Sequence, residues 1–168
     1  MPWSIRRLHA VDERCLEGLT DVLVDCVDGG ASVSFMHPMS RDKARAFWQR
    51  VAEDAHGICG TVQLILDLPE NQPHRADLAK MLVHRRARRQ GLGEALMRAA
   101  ESTARDCGRT VLVLDTVTGA DGERLYARLG WQRVGEVPRY ALMPRGGYCS
   151  TTFFYRDLSA PRDPDTSR

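Results

Sequence analysis

The chain has 168 residues, 43% hydrophobic and 27% charged, which suits one globular domain whose core needs neither disulfide nor metal staples. Five cysteines and five histidines are scattered without a C-x-x-C or an H-E-x-x-H; this predicts reduced thiols, a cytoplasmic protein and no metal site. No apolar run approaches the roughly 18 residues of a membrane helix and the first residues lack a signal-peptide core, so neither a membrane nor export is expected.

Residues 5–8 read as a short first strand. From Val11 onward, Leu16, Leu19, Leu23 and Cys26 form one helical stripe that Gly29 and Gly30 stop. Ser40 is placed to cap a second helix that buries Ala44, Phe47, Trp48 and Val51. Residues 58–67 and 77–84 read as strands across the turn-rich LPENQPH, and a helix of good formers runs from Gly91 to a C′ glycine, Gly108. TVLVLD, residues 110–115, has the look of a strand buried on both faces. Asp121 is the expected N-cap of a short helix with Leu125 and Leu129 inward and Gly130 closing it. Strands over 131–137 and 150–157 follow, joined by PRYALMPRGGYC as a loop. The order β-α-α-β-β-α-β-α-β-β predicts a mixed α/β sheet with helices on both faces. A single domain over residues 1–158 with a polar, frayed tail over 159–168 is expected.

The stretch HRRARRQGLGEAL, residues 84–96, carries four arginines into two glycines. Their charge alone exceeds the net +2 of the chain, so the remainder is net acidic. Nucleic-acid binders show a broader basic face, and none is expected here. A strand, a glycine turn and a helix start together place free backbone N–H groups at a positive helix end, a general anion site. A Walker loop is excluded because no Lys-Ser or Lys-Thr follows the glycines. A dinucleotide turn fits poorly, since Leu96 holds the third small-residue position and Gly91 lies several residues past its strand.

Arg88-Arg89-Gln90-Gly91-Leu92-Gly93 resembles the R/Q-x-x-G-x-G/A signature of the GNAT superfamily of N-acetyltransferases. Asp121-x-x-Arg124-Leu125-Tyr126-Ala127-x-Leu129-Gly130-Trp131 resembles that family's N-x-x-A-x-x-x-Y-x-x-x-G-F/W block, with Asp121 where Asn is common. GTVQL, HRADLAKMLV and YALMPRGGYCSTTFFY are similar to the tabtoxin-resistance subgroup, which acetylates a small amino-acid-like antimetabolite. The resemblance implies a GNAT-type, mostly antiparallel sheet with the element order above. One early strand, between the second helix and GTVQL, is reduced to a stub near Val51-Ala52 or absent. It implies acetyl-CoA as co-substrate, an amine acceptor, direct transfer in a ternary complex, a role in self-protection or antimetabolite resistance, and a homodimer, common in the family.

The resemblance also assigns residues. Met81, Leu82 and Val83 lie on a splayed strand facing the cofactor, the amide of Leu82 or Val83 polarising the carbonyl. Arg88, Arg89, Gln90, Gly91, Leu92, Gly93 and Glu94 dock the pyrophosphate, with Asp121 nearby. Tyr126 is the candidate acid: its unperturbed pKa near 10 lets it protonate a thiolate and stay protonated at neutral pH. Asp77 and Asp115, at adjacent strand ends, are rival or cooperating bases. Arg75 and Arg139 are candidates for a substrate carboxylate. The alternative is a non-catalytic CoA- or nucleotide-binding module that keeps the turn without the chemistry.

Overall fold

A computed structural model describes Ile5 and residues 12–49 and 58–159. Helix α1 spans Glu13–Asp28 and α2 Arg41–Gln49; strands β1, Gly60–Ile65, and β2, Arg75–Val83, follow. Then come α3, Leu92–Asp106, β3, Val111–Val117, α4, Asp121–Arg128, β4, Gln132–Leu142, and β5, Tyr148–Asp157. The expected strands over 5–8 and near Val51, and the tail beyond 159, lie outside the described residues. No helix among the described residues is long and apolar enough to cross a membrane.

The sheet runs β1-β2-β3-β5-β4, antiparallel except between β2 and β3, as the fold expectation requires. Its two faces carry separate cores. On one, the α1 stripe of Leu16, Leu19, Leu23 and Cys26 packs with Ala44 and Trp48 of α2 and with Leu82 of β2. On the other, Met97, Ala100 and Ala104 of α3 and Tyr126 of α4 meet Ala76, Leu78, Leu112, Leu114 and Phe154. There the buried Trp131 indole donates to Glu101 of α3 at 3.0 Å, pinning the start of β4. Ser40 caps α2 through its hydroxyl, which accepts from the Lys43 amide at 3.2 Å.

Three expectations are corrected. The run 138–149 is mostly strand: β4 continues to Leu142 and β5 begins at Tyr148, leaving a tight turn. Pro138 is tolerated because β4 is the sheet edge, and the register slips between Val137 and Ala141, where Arg139 takes φ +54. Strand β3 is not buried on both faces, since Leu112 and Leu114 are covered while Asp115 is exposed. The N-cap of α4 is Ala120, and Asp121 is its first helical residue.

Close packing fixes where β1 meets α3. A Cβ on Gly60 would stand 2.9 Å from the Leu82 carbonyl oxygen and 3.0 Å from Leu96 Cδ1. Gly60→Ala is therefore expected to cost about 1–3 kcal/mol of stability, measured by denaturant unfolding.

Candidate active site

Strands β2 and β3 pair only from Arg75↔Val111 to Asp77↔Val113, although both continue several residues further. Beyond Asp77 the β3-facing edge of β2 pairs with no strand, and a wedge opens between the two. A bulge enlarges it. Thr61 pairs Leu82 while Gln63 pairs Ala79, so β2 carries one extra residue there, and Lys80 takes φ +49. Met81, Leu82 and Val83 follow this bulge, Leu82 packed into the α1–α2 core and Met81 against the α3 side. The Val83 carbonyl is already engaged, accepting from Arg88 Nε at 3.2 Å.

At the far end of β2 the chain makes one turn of 3₁₀ helix, Arg85–Ala87, and then the glycine turn. Arg85 is held to Asp25 of α1, donating from Nε at 2.7 Å and from its amide at 3.0 Å. This partner and His84 hold the Asp25 carboxyl below its usual range against the opposing effect of burial. Arg86 donates to the Ile58 carbonyl, and Gln90 to the Arg86 carbonyl at 3.0 Å. The basic run is thus largely spent on folding the turn. Arg89, at φ +57, forms no ion pair among the described residues.

Gly91 takes φ +79 and starts α3 with no side-chain cap. The amides of residues 89–94 donate to no protein acceptor among the described residues, and the first regular bond of the helix is Ala95 N to Gly91 O at 3.0 Å. Six donors at a positive helix end fit a pyrophosphate or comparable anion. Gly93 sits against Leu125, where a Cβ would approach its Cδ2 to 3.2 Å. Glu94 pairs with Arg98 one turn on, at 2.8 Å, and adds no bond to the cradle.

Helix α4 flanks the same region. Its start lies close on the end of β3, since a Cβ on Gly122 would stand 2.8 Å from Thr116 Oγ1 and 3.4 Å from Tyr126 Cε2. Asp121 pairs with Arg124, which lowers its pKa; Arg89 and Arg88 add smaller effects of the same sign, placing Asp121 within their field. Tyr126, only 5% exposed, packs against Trp131 and Phe154 with ring centroids 6.1 and 6.0 Å away. Burial first, and then the nearby Asp115 charge, push its phenol far above the ordinary tyrosine range. Leu125 and Leu129, expected inward, are only partly buried around it.

Across the wedge, Asp115 is open along part of its surface yet crowded by protein on its other sides. That burial raises its pKa, and the Asp77 charge adds to the rise. A Thr151 hydrogen bond and the Lys80 ammonium act against it. Asp77 is held by Arg75, whose Nη1 donates to it at 2.5 Å and whose Nε donates to Gln72 at 2.7 Å. Arg75 therefore has little of its guanidinium free. Arg139 lies 4.8 Å over the Tyr148 ring on the hairpin, not in the wedge. The segment 29–40 between α1 and α2 meets β2 through Ser34 and the hairpin turn through His37 N to Pro144 O at 2.8 Å, while Arg145 Nη2 donates to the Asp28 carbonyl at the end of α1, also at 2.8 Å.

Two contributors were not foreseen. Lys80 donates to Ser34 Oγ at 3.1 Å, and Thr151 favours the ionised form of Asp115. The signal for Lys80 was present as the one charge within LAKMLV.

A family model, the acetyltransferase (GNAT) domain, matches residues 43–133. N-acetyltransferase 8B of Rattus norvegicus is 35% identical over 97 residues, which are 56% of this chain and 43% of that protein. The chain thus spans less than half the length of the curated relatives it matches. The structure of yncA from Salmonella typhimurium, solved with its cofactor acetyl-CoA, superimposes with a TM-score of 0.72 at 20% identity, over 97% of this chain and 99% of that one. An N-acetyltransferase from Staphylococcus aureus Mu50 gives 0.72 at 15% identity, over 90% and 98%. At such identities these two speak for the fold alone.

Proposed function

Because the chain belongs to the GNAT acetyltransferase family, we propose that it is an acetyl-CoA-dependent N-acetyltransferase that acetylates a small amine by direct attack in a ternary complex. The observation that carries this is the pairing of the uncapped glycine turn, with its acceptor-free amides, and the wedge between β2 and β3. The turn's amides from Arg89 to Glu94 would hold the pyrophosphate, with Arg88 and Arg89 supplying positive potential and Asp121 bordering them. The released edge of β2 at Met81, Leu82 and Val83 would pair with an extended, amide-bearing chain. Bound there, acetyl-CoA supplies an activated acetyl thioester.

The protein's own groups then divide the remaining work. Asp115, with Asp77 beside it, takes the proton of the acceptor ammonium, directly or through water. An amide at Leu82 or Val83 donates to the carbonyl oxygen where negative charge develops. Tyr126 is the candidate proton donor at Oη for a departing thiolate; burial keeps its phenol protonated and also makes it a weaker acid than a free tyrosine. The likeness to the tabtoxin-resistance subgroup supports a small acceptor and a protective role, and a homodimer, common in the wider family, is part of the same proposal.

Acetyl-CoA is expected to raise the melting temperature of the pure protein, with no shift from NAD, and an amine panel should release free thiol. Binding without turnover on any amine would favour the non-catalytic module; no stabilisation at all would defeat the central reading. Tyr126→Phe is expected to lower kcat about 100-fold while acetyl-CoA affinity holds, read by steady-state kinetics beside calorimetry.

A further inference from the structure

Lys80 is a cation set by the fold in an unusual place. Non-glycine residues in left-handed backbone are uncommon and cost about 1–2 kcal/mol, and outliers of this kind gather at functional sites. Here the strain belongs to the bulge that sets Lys80 within hydrogen-bond reach of the segment between α1 and α2, on the stretch of β2 beyond its last pair with β3.

Its surroundings are incomplete for an ammonium. The Nζ has three donors, and its one hydrogen bond among the described residues goes to a neutral hydroxyl, Ser34 Oγ at 3.1 Å. No carboxylate lies within ion-pair distance of it among the described residues. Asp115 acts on it only at longer range, and burial lowers its pKa. Half-buried charges are ordinarily paired, and this one stands on the part of β2 that has left β3, within the field of Asp115.

We infer that Lys80 is the acceptor-binding residue for an oxyanion, so that the substrate is a small amine carrying a carboxylate or comparable anionic group. The amine lies toward Asp115 and Asp77 and the anion on Lys80, giving opposite charges at the two sides of the wedge a matching zwitterion. Arg75, with Asp77 and Gln72 on its guanidinium, is thereby relieved of the carboxylate role, and so is Arg139 over Tyr148. This inference rests on the acetyltransferase reading above and adds the acceptor's charge to it.

The test uses matched pairs of amines, each α-amino acid against its carboxamide, with acetyl-CoA and free-thiol detection. Binding to the CoA-loaded protein is followed in parallel by calorimetry. Wild type is expected to favour the acids at least about tenfold in kcat/KM. Lys80→Gln keeps an unbranched polar side chain, one atom shorter, but removes the charge; it should erase the preference through KM, and Lys80→Arg should restore part of it. The KM for acetyl-CoA should stay constant in both. Equal use of acids and carboxamides by wild type, or a preference intact in Lys80→Gln, overturns the inference. So does acetyl-CoA binding with no acid bound or turned over, which leaves the cofactor reading standing. Failure to bind acetyl-CoA would instead remove that reading and this one together.

Discussion

Asp115→Asn is expected to lower kcat/KM for the amine by about 10³-fold, leave acetyl-CoA affinity unchanged, and raise the melting temperature. The loss follows from removing a base that stands exposed on β3 two residues beyond its last pair with β2, where Thr151 and Lys80 favour its ionised form. The gain follows from linkage. Burial, aided by the Asp77 charge, raises the Asp115 pKa above its ordinary 3.8. The folded protein therefore keeps the proton to higher pH than the unfolded chain does. The stability owed to that proton is full below 3.8 and is lost as pH rises through the folded value. At neutral pH the ionised carboxylate is a burden that asparagine lifts, a trade of stability against activity met at catalytic sites.

The same cause sets a pH profile. Turnover needs the carboxylate ionised, so kcat/KM should fall as pH drops through the raised Asp115 value. Asp77→Asn removes a charge that raises it and should move this acid limb lower; Lys80→Gln removes a charge that lowers it and should move the limb higher. Asp115→Asn activity within threefold of wild type, or a limb unmoved by both neighbours, would exclude Asp115 as the base.

Which parts of this architecture could be read from residues alone follows from how local their causes are. The α1 stripe, the Ser40 cap, the glycines that end α1, α3 and α4, and the glycine turn before α3 depend on side chains a few positions apart, and each stands where expected. Local signals misled where tertiary pairing decides. Pro138, Pro144 and the Gly146-Gly147 pair mark a loop, yet the edge position of β4 removes the need for a Pro138 N–H, and strand runs through it. A lysine in an apolar strand gives no hint of a bulge, because the bulge is a mismatch between two strands and not a property of either. The partner of Asp77 is local, since Arg75 stands two positions earlier on the same strand, whereas Arg85 reaches Asp25 only because α1 packs beside the turn after β2. The wedge follows from β2 and β3 diverging after three paired residues, a feature of the sheet as a whole.

Gly91→Val is expected to weaken acetyl-CoA binding about 100-fold while the protein stays folded. Gly91 holds φ +79 with open space around its missing side chain, so conformation, not crowding, is what valine violates. A branched residue is strongly disfavoured there, and the backbone must leave the left-handed conformation of a turn whose amides over 89–94 have no acceptor among the described residues. Losing two charge-assisted hydrogen bonds of about 1.5 kcal/mol each removes roughly 3 kcal/mol, and each 1.4 kcal/mol is a factor of ten. Strain of the same kind elsewhere supplies the control. Gly108 takes φ +70 just past the end of α3, also with open space at its Cβ. Gly108→Ala should cost about 1 kcal/mol of stability and leave binding untouched. Calorimetric titration of both variants, with circular dichroism to verify folding, separates the readings. Wild-type affinity in Gly91→Val would remove the turn from the cofactor site, and equal weakening in Gly108→Ala would trace the loss to general instability.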